Sequence, residues 1–258
     1  MSIKSSLFRI LIFYSLTNII KYNILFSKFA FWEHAMARIK LKDRLLPSYT
    51  RGEEIFNMVT HIVGAAIGII ALVMCVIKSA LKADVPAVLC SIAYGISFII
   101  LYTMSSIYHG LKPPNAKKIF QIIDHCTIYF LIAGTYTPIT VLALTKTAPV
   151  AAWIIFGLVW GLTALAVTLT AIDLKMYRYF SFTCYIVMGW CIIFAIGPLN
   201  KAIGSMGTFY LVLGGVLYSV GAIFFLVGTK IKYIHSIFHI FVCLGSIAQL
   251  ITILFYVI

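Results

Sequence analysis

IFNMVTHIVGAAIGIIALVMCVI, Ile55 to Ile77, runs for 23 residues without a single charge. Wound at 1.5 Å per residue it makes a helix of about 35 Å, enough to cross the roughly 30 Å hydrocarbon core of a bilayer. Six further stretches have the same character: Pro86 to His109, Ile119 to Leu144, Val150 to Ala171, Phe180 to Leu199, Thr208 to Gly228 and Tyr233 to Ile258. Across all 258 residues 62% are apolar and only 10% are charged, and the mean hydropathy is +1.05. No soluble domain of this length needs so apolar a composition. The stretches lack the short apolar and polar alternation of barrel strands, and backbone polar groups must be satisfied within lipid. The sequence therefore predicts an all-α integral membrane protein, a seven-transmembrane helical bundle in the cell membrane.

The net charge of +13 raises the question of a nucleic-acid partner. The basic residues do not form one aromatic-laced patch, so none is expected; they follow the loops instead. From Met36 onward one set of connections carries Arg38, Lys40, Lys42, Arg44, Arg51, Lys112, Lys117, Lys118, Lys175, Arg178, Lys230 and Lys232, which is 12. The other set carries only Lys78, Lys82, Lys146 and Lys201, which is 4. The positive-inside rule then puts the N-terminus in the cytoplasm and the C-terminus outside.

Residues 1–35 stand apart. Leu7 to Ile20 is apolar but short and interrupted by Arg9, which suits a signal-like segment, an interfacial helix or no element at all. Met36 opens a more ordinary basic lead-in and is a candidate start, which leaves 36–258 as a single membrane domain. The six cysteines, Cys75, Cys90, Cys126, Cys184, Cys191 and Cys243, fall within or beside apolar spans and form no Cys-x-x-Cys pair. They read as small packing residues, with ligation of a soft metal by Cys126 as an alternative.

Four polar signatures interrupt the apolar pattern: Glu54-x-x-Asn57-x-x-x-His61, Ser105-x-x-x-His109, Asp124-His125 and His235-x-x-x-His239. Ionisable groups in lipid are costly and mark functional sites. With the N-terminus inside, all four fall at the inner-leaflet ends of their spans. His235 and His239, four residues apart, share a helix face. Together with His109 at the same depth and a nearby carboxylate, they match the plan of a catalytic zinc site, three protein ligands and one open position.

The alternatives are specific. His125 points about 100° away from Asp124 and reads as an interface residue. Asp124 is also a candidate ion-pair partner for Lys117 or Lys118. Ser105, one turn from His109, either faces the site or bonds its own helix backbone. Glu54, Asn57 and His61 form a single stripe. Either they compensate a helix start, or they form a second shell holding a metal-ligating histidine by its other ring nitrogen. Gly64 and Gly68 make a small-residue packing face, and Gly134 to Pro138 predicts a kink eased by threonines.

These motifs, read as Glu54-x-x-Asn57-x-x-Thr60-His61 with the other three, resemble the bacterial hemolysin III branch of the progestin and adiponectin receptor (PAQR) superfamily. The resemblance runs from Arg38 to the C-terminus. It implies zinc held by His109, His235 and His239, with Asp124 bonded to a zinc-bound water and Ser105 beside it. The wider superfamily includes alkaline ceramidases, so the resemblance also implies hydrolysis of a lipid amide. The chain lacks the long polar N-terminal domain of the animal receptors, and no protein hormone is expected as a partner. Two functions follow: a membrane zinc hydrolase acting on a lipid amide or ester, with membrane lipids as partners and Asp124 and Ser105 as its catalytic residues, or a non-enzymatic channel-forming cytolysin or membrane sensor in which zinc is structural.

Overall fold

The computed structural model describes residues 41–228 and 231–258, and these are all-helical with no strand among them. The expected extension, 1–35, with the candidate start Met36, lies outside the described residues, as does Lys230. After a short 3-10 turn, Leu41–Asp43, come α1 (Arg51–Leu81), α2 (Val85–Gly110) and α3 (Pro114–Pro138). A π turn, Ile139–Ala143, and a 3-10 turn, Leu144–Lys146, continue α3. There follow α4 (Pro149–Ile172) and α5 (Arg178–Trp190), which passes through a 3-10 stretch, Cys191–Ala195, into α6 (Ile196–Val227). The last helix is α7 (Ile234–Thr252), closed by a π turn, Ile253–Val257.

Six helical runs among the described residues are long and apolar enough to cross a membrane. One of them, Arg178–Val227, covers 50 residues in which the sequence predicts two spans separated by a loop. Helix continues instead up to and beyond Gly204, where φ 72° and ψ 170° leave helical geometry. Glycine adopts that conformation without a Cβ clash. The indole Nε1 of Trp190 donates to Ser219 Oγ at 2.9 Å, although the two are 29 residues apart and a straight helix would separate them by about 43 Å. The chain therefore doubles back at Gly204.

Local sequence sets the helix ends. Thr50 caps α1: its Oγ1 accepts from the Glu53 amide at 3.3 Å, and the Glu53 carboxylate accepts from the Thr50 amide at 2.8 Å. Asp84 caps α2 by accepting from the Ala87 amide at 2.9 Å. Pro138 cannot donate to the Gly134 carbonyl, and the helix widens into the π turn just beyond it. The threonines there bond to the carbonyls of Leu131, Ala133 and Tyr136 rather than to that of Gly134.

Burial is inverted relative to a soluble helix. The inward stripe of α1 is small or polar, namely Asn57, His61, Gly64, Gly68, Ala71, Cys75 and Ser79, while Ile62, Ile69, Ile70, Val73 and Ile77 are exposed. Lipid is as apolar as isoleucine, so the outer face gains nothing by hiding, and small residues let helices approach. The molecule is a multi-pass membrane protein of the cell membrane.

Candidate metal centre

The start of α1, the end of α2, the start of α3 and the start of α7 meet at one end of the bundle. Glu53 Oε1 accepts from the Tyr233 amide at 2.7 Å, which ties the entry of α1 to the entry of α7. Lys117, on the first turn of α3, donates to the carbonyls of Tyr108 (3.0 Å) and Leu111 (3.2 Å) and so closes the end of α2. Lys118 reaches the carbonyl of Lys42 at 2.7 Å, and Arg44 lies 4.0 Å from Asp173 in the α4–α5 connection. At the opposite end Lys78 and Lys82 donate to the carbonyls of Leu254 and Ile258.

Within the first end, His109, His235 and His239 are buried, and one ring nitrogen from each lies within 4.8 Å of the others. The Nε2 atoms of His235 and His239 are 3.1 Å apart, as expected for imidazoles one turn apart on one face. His109 enters from α2, and its Nδ1 donates to Glu54 Oε2 at 2.7 Å. The other carboxylate oxygen of Glu54 accepts from Lys117 at 2.9 Å. This fixes the tautomer: the proton sits on Nδ1, and the lone pair of Nε2 is left for the centre. His109 Nε2 is buried without a hydrogen-bond partner. An orphaned imidazole lone pair facing two further imidazoles is a donor set that can hold a metal ion.

Glu54, Asn57 and His61 share a stripe but do different things. Glu53, not Glu54, closes the helix start, and Glu54 is turned to His109. Asn57 Oδ1 accepts from the Ser236 hydroxyl at 2.7 Å, so its side chain ties α1 to the first turn of α7 beside His235 and does not hold a histidine ring. His61 packs its ring on His239, centroids 3.8 Å apart, and both its nitrogens lack partners.

Asp124, Ser105 and His61 line a cavity of about 390 Å³ together with His235 and His239. Neither lysine takes Asp124 as a partner in the way the sequence allows, since Lys117 is committed to Glu54 and Lys118 to Lys42. Ser105 faces this space, while its neighbour Ser106 gives its hydroxyl to its own helix, at the carbonyl of Tyr102, 2.7 Å away. His125, expected at the interface, is a correction: it also lines the cavity, with Nδ1 on the Gln121 carbonyl at 2.8 Å and 3.8 Å from Asp124. Packing of α6, whose Phe225 ring meets it at 5.8 Å, draws it inward. Cys126 is no part of the histidine group, because its thiol points to the Val167 carbonyl on α4, 3.8 Å away. All six cysteines are free.

Tyr49, just before α1, escapes sequence reading, because no periodicity marks a residue outside a helix. Its ring stacks on His235 at 4.9 Å and 20°, and lies 5.9 Å from His109. Burial first, then the carboxylates of Glu54, Asp124 and Glu53, raise its phenol well above the ordinary value, so it remains a protonated donor. From the histidines the cavity continues between α3, α5, α6 and α7 as far as Leu211 and Gln249, and most of its wall is apolar.

A polytopic helical membrane protein with a buried three-histidine centre at one end and an apolar cavity beneath it is the class these features define. Residues 49–250 match the model of the family described as haemolysin-III related, and the chain belongs to that family. It is 40% identical to Hemolysin-3 of Bacillus cereus over 205 residues, 80% of this chain and 92% of the relative. With the Hemolysin-3 homolog of Bacillus subtilis (strain 168) it shares 37% identity over 208 residues, 81% of this chain and 96% of the relative. A more distant similarity, 26% over 161 residues, links it to the human monocyte to macrophage differentiation factor, covering 59% of this chain and 64% of the relative.

Proposed function

We propose that the protein is a zinc-dependent hydrolase of a lipid amide or ester bond, working at the inner leaflet on a bundle of seven spans. The observation that carries this reading is the joining of two environments in one cavity: His61, Ser105, Asp124, His235 and His239 at one end, and an apolar passage below them. In this reading the acyl chain of the substrate occupies the passage, and its polar linkage lies among the side chains that can act on it.

Zinc supplies Lewis acidity and brings the pKa of a water toward about 7. His109, His235 and His239 would hold it, with Glu54 and Lys117 orienting His109. Asp124 accepts the proton of the attacking water and later returns it to the leaving amine or alcohol. Ser105 donates its hydroxyl to the carbonyl oxygen as negative charge builds there. Tyr49 covers the imidazoles from the aqueous side and limits access of bulk water.

Seven spans follow if the fold-back at Gly204 is one turn of the chain at the membrane surface, since a rod of 50 residues would reach about 75 Å. The basic loops bearing Lys112 and Lys175 then share the cytoplasmic face with the histidines.

The test is metal content and turnover on detergent-purified protein. Wild type should hold one zinc and release fatty acid from an amide or ester lipid, Asp124→Asn should keep zinc and lose turnover, and His239→Ala should lose both. The name of the bacterial relatives, Hemolysin-3, favours a second reading, a channel-forming cytolysin with structural zinc. Stoichiometric zinc without turnover across a broad lipid panel, with vesicle leakage unchanged by Asp124→Asn, would turn the argument to that reading.

A further inference from the structure

On α7 the residues His235, His239, Val242 and Gln249 all line the cavity, and Gln249 lies ten residues beyond His239, about 15 Å deeper. That is near the middle of a roughly 30 Å hydrocarbon layer, where an unpaired polar atom has no water to turn to. Gln249 is only 5% exposed, and its Nε2 donates to the Leu211 carbonyl on α6 at 3.1 Å. That bond fixes which end of the amide is nitrogen. The Oε1 atom, an acceptor with two lone pairs, is left buried without a partner on a side chain that lines the cavity. Room for the side chain is made by glycine: a Cβ on Gly214 would lie 2.5 Å from Gln249 Nε2 and 3.1 Å from the Gly245 carbonyl. One turn away, Tyr218 also lines the cavity, its hydroxyl 2.7 Å from Ser246 Oγ, which the Tyr102 hydroxyl also meets at 2.7 Å. The three hydroxyls share two hydrogen bonds, so lone pairs remain on this side too.

We propose that Gln249 Oε1, with Tyr218 beside it, is a second recognition point that takes a hydroxyl group carried partway along the apolar chain of the ligand. The ligand class is a long-chain lipid with a mid-chain hydroxyl, not a plain saturated chain. The hydroxyl donates to Gln249 Oε1 and replaces an unmet acceptor by a hydrogen bond in a dry site. A plain chain leaves that acceptor unpaired. This deepens the hydrolase reading in that it supposes the carboxyl end of the chain at the histidine centre, but it is measured by binding and not by turnover.

The experiment is native mass spectrometry of the full-length protein in detergent, offered equimolar stearate and mid-chain hydroxystearate. Wild type should favour the hydroxy acid by about tenfold, the effect of one hydrogen bond to an otherwise unsatisfied buried acceptor. Gln249→Leu should abolish the preference while binding stearate as well as before, and circular dichroism checks that it is folded. If that variant does not fold, Gln249→Met serves in its place and should abolish the preference in the same way. Equal binding of the two acids by wild type, binding of neither, or a preference that survives loss of the glutamine overturns the proposal. A preference found in a protein with no hydrolytic turnover would sink the hydrolase and leave the recognition point standing.

Discussion

Glu53 and Glu54 are neighbours in sequence with the same side chain, yet they do unrelated work because a helix turns them about 100° apart. Glu53 faces back to the Thr50 cap and across to Tyr233, whereas Glu54 faces α2 and sits between His109 and Lys117, one carboxylate oxygen on each. A carboxylate behind a ligating imidazole orients the ring and raises its basicity. Glu54→Ala should therefore weaken zinc binding by about ten- to a hundredfold in a chelator competition, although Glu54 touches no metal. The same substitution leaves the Lys117 ammonium, buried at the end of α2, without its carboxylate. A variant with wild-type zinc affinity would show that His109 is held in place by packing alone.

Helix packing depends on side chains that are not there. A Cβ on Gly64 would lie 2.2 Å from the Tyr102 ring, and one on Gly68 would lie 3.1 Å from Phe98. These two glycines bring α1 against α2, and that approach carries His61 to Tyr102 and Glu54 to His109. Gly64→Ala should lower stability by about 1–3 kcal/mol through overpacking, read as a lower melting temperature in detergent. Gly161, on α4, has nothing within 4 Å of its would-be Cβ. Gly161→Ala should be neutral or stabilising by up to about 1 kcal/mol, because alanine is the better helix former. Equal effects at the two positions would remove the packing argument. Gly204 differs again, since its positive φ and not its neighbours calls for glycine there.

For the whole molecule the open quantity is orientation. The histidine end also carries the connections with Lys112 and Lys175, while Lys78, Lys82 and Lys146 belong to the other end. The charge bias of the loops thus predicts a cytoplasmic centre. On a background without native cysteines, Lys146→Cys should react with an impermeant maleimide added outside intact cells, and Asn115→Cys should not. The two sit at opposite ends of the 33-residue run Pro114–Lys146. Labelling at 115 alone would move the centre to the outer leaflet.

Helical class, the extent of most long apolar runs and the identity of the three histidines were legible in the chain. Each rests on a local property: unbroken apolarity over about twenty residues, or a four-residue spacing that helix geometry converts into a shared face. The family was legible too, since its motifs are short and lie within single helices. What tertiary structure alone decided is which side chain meets which across helices. The pairing of Glu54 with His109, the diversion of Lys117 from Asp124, the stacking of Tyr49 on His235 and the inward turn of His125 each join residues whose separation in sequence carries no periodic signal. The reversal between Leu199 and Thr208 was legible as a break between two apolar runs, but that helix reaches Gly204 from both sides and turns on that one residue, with no loop, was not, because backbone dihedrals leave no mark on hydropathy.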